Sequence, residues 1–278
     1  MKTILIIFLI ILIIFLILWL GLQITPNPLP AYGVQTITPE TIPLPKGLPA
    51  PVELFYRKVY GERVPVITSA VISGRAKLTI PAGKGITFPS RFRFSHIAGK
   101  GYRHYIETTF YGFPIMKVNE HFLDGKGRLD LPFGIFDGEK VDQGATLALW
   151  GESVWLPAIW ITDERIRWEA VDDVTAILII PYLSEQERFI VRFDPVSGML
   201  RFMEAMRYRD SDANAPKILW IAESKAWKEV NGYLLPTICE VTWFDNGSPW
   251  AVFKVEEVVY NLGIETNIRA DVPIIFVL

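Results

Sequence analysis

Glu152 sits in "WGESVWLPAIWITDERIRWEAVDD", residues 150–173, among Trp150, Trp155, Trp160 and Trp168 and close to Pro157. A carboxylate in apolar surroundings must be paired or hydrogen-bonded, or its pKa rises. Three roles are open to it: catalytic acid, ligand contact, or structural partner. Arg165 and Arg167 follow within the same stretch and are the cations that the sequence offers. With them Glu152 would be a clamp between a helix and a strand, with Pro157 at the break. Trp155 and Trp168 would then stand beside it, either as core or at the mouth of a ligand cavity.

The other groups with chemistry do not complete a mechanism. His104 and Glu107 form H-x-x-E, but on a strand those positions face opposite ways. His121 shares a face with Asn119 and leaves Glu120 on the other, and His96 belongs to a different strand. No pair has the helical HExxH spacing, so the sequence names no metal ligands, and a metal site would have to be assembled by the fold. There is no G-x-S-x-G and no phosphate-loop pattern in "SGRAKLTIPAGKG". Asp163, Glu164, Glu169, Asp172 and Asp173 fall where polar turns place carboxylates. The single Cys239 excludes an internal disulfide. Its setting, "LLPTICEVTWF", reads as a buried, inert thiol, the alternative being a pairing between chains. No catalytic residue and no cofactor is therefore expected.

These residues need elements to position them. The 278-residue chain opens with "MKTILIIFLIILIIFLILWLGLQ", uncharged from Ile4 to Leu22. As a helix that run reaches roughly 28 Å, the hydrocarbon thickness of a bilayer. It is longer than a secretory h-region and lacks a small-residue cleavage pattern, which favours a retained anchor over a cleaved signal. Lys2 on the short flank places the N-terminus in the cytoplasm and the remainder outside, with one pass through the cell membrane. Residues 1–24 are thus the anchor. Eight prolines fall between Pro26 and Pro51, and residues 25–50 read as a semi-extended spacer. The alternative is a strap packed on the domain through Ile42, Leu44 and Leu48.

Residues 51–278 are long enough for one extracytoplasmic domain. Its 28 basic and 30 acidic residues (whole chain) are interspersed, so no basic stripe for nucleic acid exists. "PVELFYRKVYG" is a short amphipathic helix stopped by Gly61. Alternating, β-branched strands follow as far as "RLDL", and a helical stretch broken at Gly151 and Pro157 comes after them. From "TAILIIPYL" onward, turns at Asp194–Gly198, Asn231-Gly232 and Asn246-Gly247 mark an antiparallel meander of about six strands. Strands apolar on both faces, such as those with Phe189, Ile190 and Val191, need cover on both sides. The expected fold is mainly β (α+β): an antiparallel, curled sheet or half-barrel covered by short helices and preceded by one transmembrane helix.

Three motifs carry a resemblance. "VNEHFLDGKGRLDL", the Glu152–Trp155–Pro157 spacing and "RWEAVDD" together resemble an uncharacterised bacterial domain family of unknown function, with weaker similarity over residues 50–262. The long Pro-rich segment and "PAGKGITFPSRFRF" depart from it. The strand pattern with its helical cover also resembles the curved half-barrels of bacterial lipoprotein carriers. That likeness implies a binding module for a lipid or other hydrophobic small molecule. An extracytoplasmic hydrolase or metal enzyme using Glu152 with His104, His121 or Asp172–Asp173, and a structural or assembly protein of the envelope, are the alternatives.

Overall fold

The computed structural model describes residues 2–32 and 39–270. Helix α1 (Lys2–Gln23) is continuous and apolar, with a mean hydropathy of 3.5 over its core window, which by length and composition suffices to cross a bilayer. Its C-terminal end abuts the domain. Gly21 has no room for a Cβ, which would meet the Phe110 ring at 2.4 Å. The Gly21 carbonyl accepts the Tyr111 N–H at 2.9 Å, and the Ile17 carbonyl accepts the Tyr111 hydroxyl at 2.6 Å.

The Pro-rich segment is a strap over its described residues, which corrects the expectation of a spacer. Leu29 and Tyr32 are buried. β1 (Thr41–Pro43) pairs antiparallel with β2 (Arg63–Pro65), on either side of α2 (Ala50–Tyr60). α2 forms where the apolar spacing predicts, with Pro51 in its first turn and Gly61 at φ 73° ending it. The reason the strap packs is that proline-rich backbone keeps free carbonyls, and the sheet presents arginines to them. Asn27 O accepts Arg91 Nη1 at 3.1 Å, and Pro30 O accepts Arg93.

A single antiparallel sheet of thirteen strands follows. Its first group is β3 (Ser69–Ile80), β4 (Ile86–Ile97), β5 (Gly101–Phe110), β6 (Phe113–Leu123), β7 (Lys126–Leu131) and β8 (Gly134–Phe136). The helical layer is α3 (Glu139–Gly151), a 3-10 turn at Glu152–Trp155, and α4 (Ile159–Thr162). The second group is β9 (Arg167–Ala170), β10 (Thr175–Tyr182), β11 (Glu185–Phe193), β12 (Leu200–Tyr208), β13 (Lys217–Val230), β14 (Tyr233–Trp243) and β15 (Pro249–Tyr260). Each group is a meander of hairpins, and the last strand, β15, pairs with the first, β3, to merge them. Gly74 sits at that seam, where a Cβ would lie 2.0 Å from Lys254 O beside a bulge at Val255–Glu257. A short helix, α5 (Glu265–Arg269), closes the described chain.

Strand alternation decides what covers each face. On β4, Phe92, Phe94 and His96 face the helical layer, and Arg91, Arg93 and Ser95 face the strap. The helical face is filled with aromatic side chains: Trp150, Trp155 and Trp160 are all 2% exposed or less. α3 reaches both halves of the sheet. Asp142 near its N-terminus accepts the Gly127 N–H at 2.7 Å and Lys126 Nζ at 2.8 Å. Gln143 holds β12 through Met206 O and the Tyr208 N–H.

Candidate functional site

His96 and His104 come together through the register of one hairpin. In the β4–β5 pair, His96 faces Tyr102 and Phe94 faces His104, so both imidazoles are on one face as diagonal neighbours, ring centroids 5.5 Å apart. On the next strand Glu120 stands directly opposite His104. The His104 ring lies between Phe94 and Tyr102, with centroids at 4.0 and 3.9 Å. Tyr102 donates its hydroxyl to Glu120 Oε1 at 2.5 Å, and Glu120 Oε2 lies 3.8 Å from His104 Nδ1.

The helical layer brings the remaining member. α3 ends at Glu152, whose Oε2 lies 2.7 Å from His104 Nε2 and 3.2 Å from His96 Nε2. Both approaches are close but misaligned for hydrogen bonding. His96 Nε2, His104 Nε2 and Glu152 Oε2 therefore all lack a hydrogen-bond partner, as does His96 Nδ1. Burial opposes charge on every member. Even so, His104 and His96 hold the Glu152 carboxyl down to about 2. Against burial, Glu152 and Glu120 push His104 up to about 9. At His96 burial prevails and lowers its pKa.

The expected partners of Glu152 are corrected accordingly. Arg165 turns to Asp163, with Nε at 2.9 Å from Oδ1, and to Gly99 O at 2.8 Å. Arg167 lies on the edge strand β9 and reaches Gln186 at 3.1 Å. Sequence proximity favoured those arginines, but the chain leaves α4 and turns away along the sheet edge. Trp155 is a plug: it packs on Phe92, Phe94 and Phe253 and donates Nε1–H to Pro236 O at 3.2 Å. Trp168 is half-buried on β9, edge-on to Trp160, whose carbonyl accepts its Nε1–H at 3.3 Å. Pro157 breaks the helical layer, and its carbonyl accepts the Tyr56 hydroxyl at 2.7 Å. The Glu152–Trp155–Pro157 spacing thus docks the helical layer at three points.

Of the hydrolase constellation, Glu152 and His104 are brought together, at 2.7 Å, and His121 and Asp172 are not. His121 opposes Arg103 in the register and so faces away from Glu120. Asp172 is exposed in the β9–β10 turn, accepting the Val174 N–H at 2.9 Å. His96 and Glu120 were not singled out by their chemistry in the sequence. The hairpin "FRFSHIAGKGYRHY" carried the signal: tight closure at Gly99–Gly101 puts His96 and His104 on the same face.

Cavities lie within and around the sheet. Beneath Glu152, a void of 30 Å³ is lined by Trp155, Trp220, Cys239 and Phe253. That is an order of magnitude below the roughly 300 Å³ at which ligand pockets begin. Among the described residues, that void is thus too small for a ligand, and the spaces of ligand size lie at the rim of the half-barrel. One, of 350 Å³, opens between α3, β7 and the end of β12. Leu129, Leu131, Phe136 and Val141 form its apolar wall. Arg207 stands in it, over the Trp220 ring at 4.9 Å, with its Nε unpartnered. Gly144 makes room, since a Cβ there would sit 3.3 Å from that Nε. A second cleft of 510 Å³ mixes polar and apolar side chains, and its Asp124–Arg269 pair is closed at 2.8 Å.

Cys239 is buried beside the void, and burial pushes its thiol up to about 12. At pH 8 roughly one part in 10⁴ would then be thiolate. We expect a disulfide-exchange reagent to modify Cys239 only on unfolding. Stoichiometric labelling of the native protein within minutes would contradict this.

Fold and site together define a β half-barrel with a docked helical layer, carried behind an apolar N-terminal helix. The chain belongs to a family of unknown function (DUF6544), whose model matches residues 38–255. No curated protein matches it in sequence. Among solved structures it is similar to a LolA superfamily protein from Nitrosomonas europaea, at 9% identity and a TM-score of 0.46, covering 79% of this chain and 97% of that one. It is also similar to a DUF1329 family protein from Desulfovibrio piger, at 13% identity and 0.44, covering 80% and 96%. A putative outer membrane lipoprotein-sorting protein domain from Vibrio parahaemolyticus gives 11% identity and 0.40, covering 72% and 89%.

Proposed function

We propose that this chain is a membrane-tethered, extracytoplasmic binding module whose ligand is an amphiphile with an anionic head. The observation that carries the reading is the 350 Å³ cleft, which combines an apolar wall with an arginine whose Nε has no partner. Pockets that take small molecules are mostly apolar with a few fixed polar groups. An anionic head would satisfy Arg207 Nε, beside the Glu120 carboxylate that already faces this guanidinium, and its apolar part would cover Leu129, Leu131 and Phe136. Lys140, which at present holds the carbonyls of Asp212, Ala213 and Ala215, stands at the rim.

Helix α1 supports the tether, and Lys2 supports a cytoplasmic N-terminus. With α1 in the bilayer, its contact with Tyr111 brings the β5–β6 turn to the interface. There Phe113, 74% exposed, and Ile115 meet headgroups and acyl chains instead of water.

The test uses the full chain in detergent, titrated with a fluorescent long-chain fatty acid. We expect saturable binding at one site. Arg207→Gln should weaken it on the order of 10- to 100-fold, because a hydrogen bond to a charged group contributes about 1.5–3 kcal/mol. Val141→Trp, which fills the cleft, should abolish it. Identical titrations for all three proteins would mean that the probe partitions into the micelle and would sink the reading.

A further inference from the structure

We propose that His96, His104 and Glu152 bind one divalent transition-metal ion of the zinc class, on the inner face of the sheet. The inference does not rest on the ligand of the rim cleft, although Glu120 both lines that cleft and stands beside His104. Its ligand atoms, one from each residue, lie within 4.8 Å of one another. An ion held at about 2.0–2.1 Å from each ligand in tetrahedral geometry requires ligand atoms about 3.3 Å apart. Two edges of the triangle, 2.7 and 3.2 Å to Glu152 Oε2, lie at or below that value, and the third is no longer than 4.8 Å.

Glu152 and the two imidazoles form a close ion-pair cluster, but one whose hydrogen bonds are poorly aligned. Native interiors satisfy their buried polar atoms, and a cluster built on imidazole–carboxylate bonds would align them. Here the three converging atoms are all without a hydrogen-bond partner, and His96, fully buried, points one of its two unpartnered nitrogens at the centre. One cation satisfies all three at once.

The surroundings have the features of a metal site. Metal-bound histidines commonly present their other ring nitrogen to a carboxylate. Glu120 occupies that position at His104 Nδ1 and is itself fixed by the Tyr102 hydroxyl. Two imidazoles and a carboxylate suit zinc-class ions better than calcium or magnesium, which prefer all-oxygen shells. Three protein ligands leave one position open. The ion would join β4 and β5 to the end of α3, which ties the helical layer to the sheet.

The test is metal content and affinity of the full chain in detergent. After chelator treatment, Co²⁺ should restore a single bound equivalent with the visible ligand-field absorption of a four- or five-coordinate site, and Zn²⁺ should displace it. His104→Gln and Glu152→Gln should remove the absorption. Glu120→Gln, which keeps all three ligands, should weaken Zn²⁺ binding about 10- to 100-fold. It also serves as the decisive variant if loss of a ligand prevents folding. His121→Gln, on the opposite face, should bind Zn²⁺ as the unmodified protein does. The proposal is overturned if the unmodified chain takes up no stoichiometric Co²⁺ or Zn²⁺. It is equally overturned if Glu120→Gln binds Zn²⁺ unchanged while His121→Gln loses it.

Discussion

Glu152→Gln is expected to lower the stability of the chelator-treated protein by about 3–5 kcal/mol, the range for removing one partner of a buried ion pair. The glutamine keeps the shape but removes the charge that faces two buried imidazoles. His104 would keep only Glu120 at 3.8 Å, and His96 would be left with no charged neighbour within ion-pair distance. The same substitution loosens the end of α3, so the loss should come with altered emission from the tryptophans of the helical layer. Arg165→Ala is the control. Its pair with Asp163 is half-exposed and should contribute no more than about 1 kcal/mol. Urea unfolding followed by tryptophan fluorescence measures both. Equal midpoints for Glu152→Gln and the unmodified chain would show that the cluster holds nothing together.

Trp155→Ala should cost a similar amount, about 3–5 kcal/mol, for a different reason. The indole fills the concave face against Phe92, Phe94 and Phe253, and its removal would enlarge the 30 Å³ void instead of letting it collapse. Backbone on both sides of the plug is already fixed: Tyr260 donates its hydroxyl to Trp155 O, and Tyr56 donates to Pro157 O. The neighbouring strands therefore cannot close in. The lost N–H donor also leaves Pro236 O without that partner. Trp168→Ala, at the sheet edge, should cost distinctly less, because its ring is only half-buried. Parallel thermal melts of the two variants decide this. A smaller loss at Trp155 than at Trp168 would contradict the assignment of the plug.

Local features of the fold were legible because they are written in adjacent residues. The spacing of Val52, Phe55 and Val59 with Gly61 marks α2, and Asn231-Gly232 marks the β13–β14 hairpin, with φ of 50° and 83°. Asn246-Gly247 was less literal: a 3-10 turn at Phe244–Asn246 precedes Gly247 in the left-handed region, which makes a wider connection. Features that depend on docking were hidden. Nothing in the spacing tells β15 to pair with β3, or Pro30 to offer its carbonyl to Arg93. Half of the site was readable, since alternation and a tight turn align His96 with His104. The other half was not, because Glu152 arrives on a separate layer and its position depends on Asp142, Trp155 and Pro157 seating that layer on the sheet. Arg165 and Arg167 were near in sequence, but electrostatic partners are set by distance in space.

The central claim, a tethered module for an anionic amphiphile, is tested most directly by native mass spectrometry of the full chain released from detergent, before and after organic extraction. One adduct of lipid-sized mass is expected on the unmodified protein, lost on extraction, and absent from Val141→Trp prepared in the same way. An adduct carried equally by Val141→Trp, or a bare mass for the unmodified chain prepared from its membranes, would contradict it.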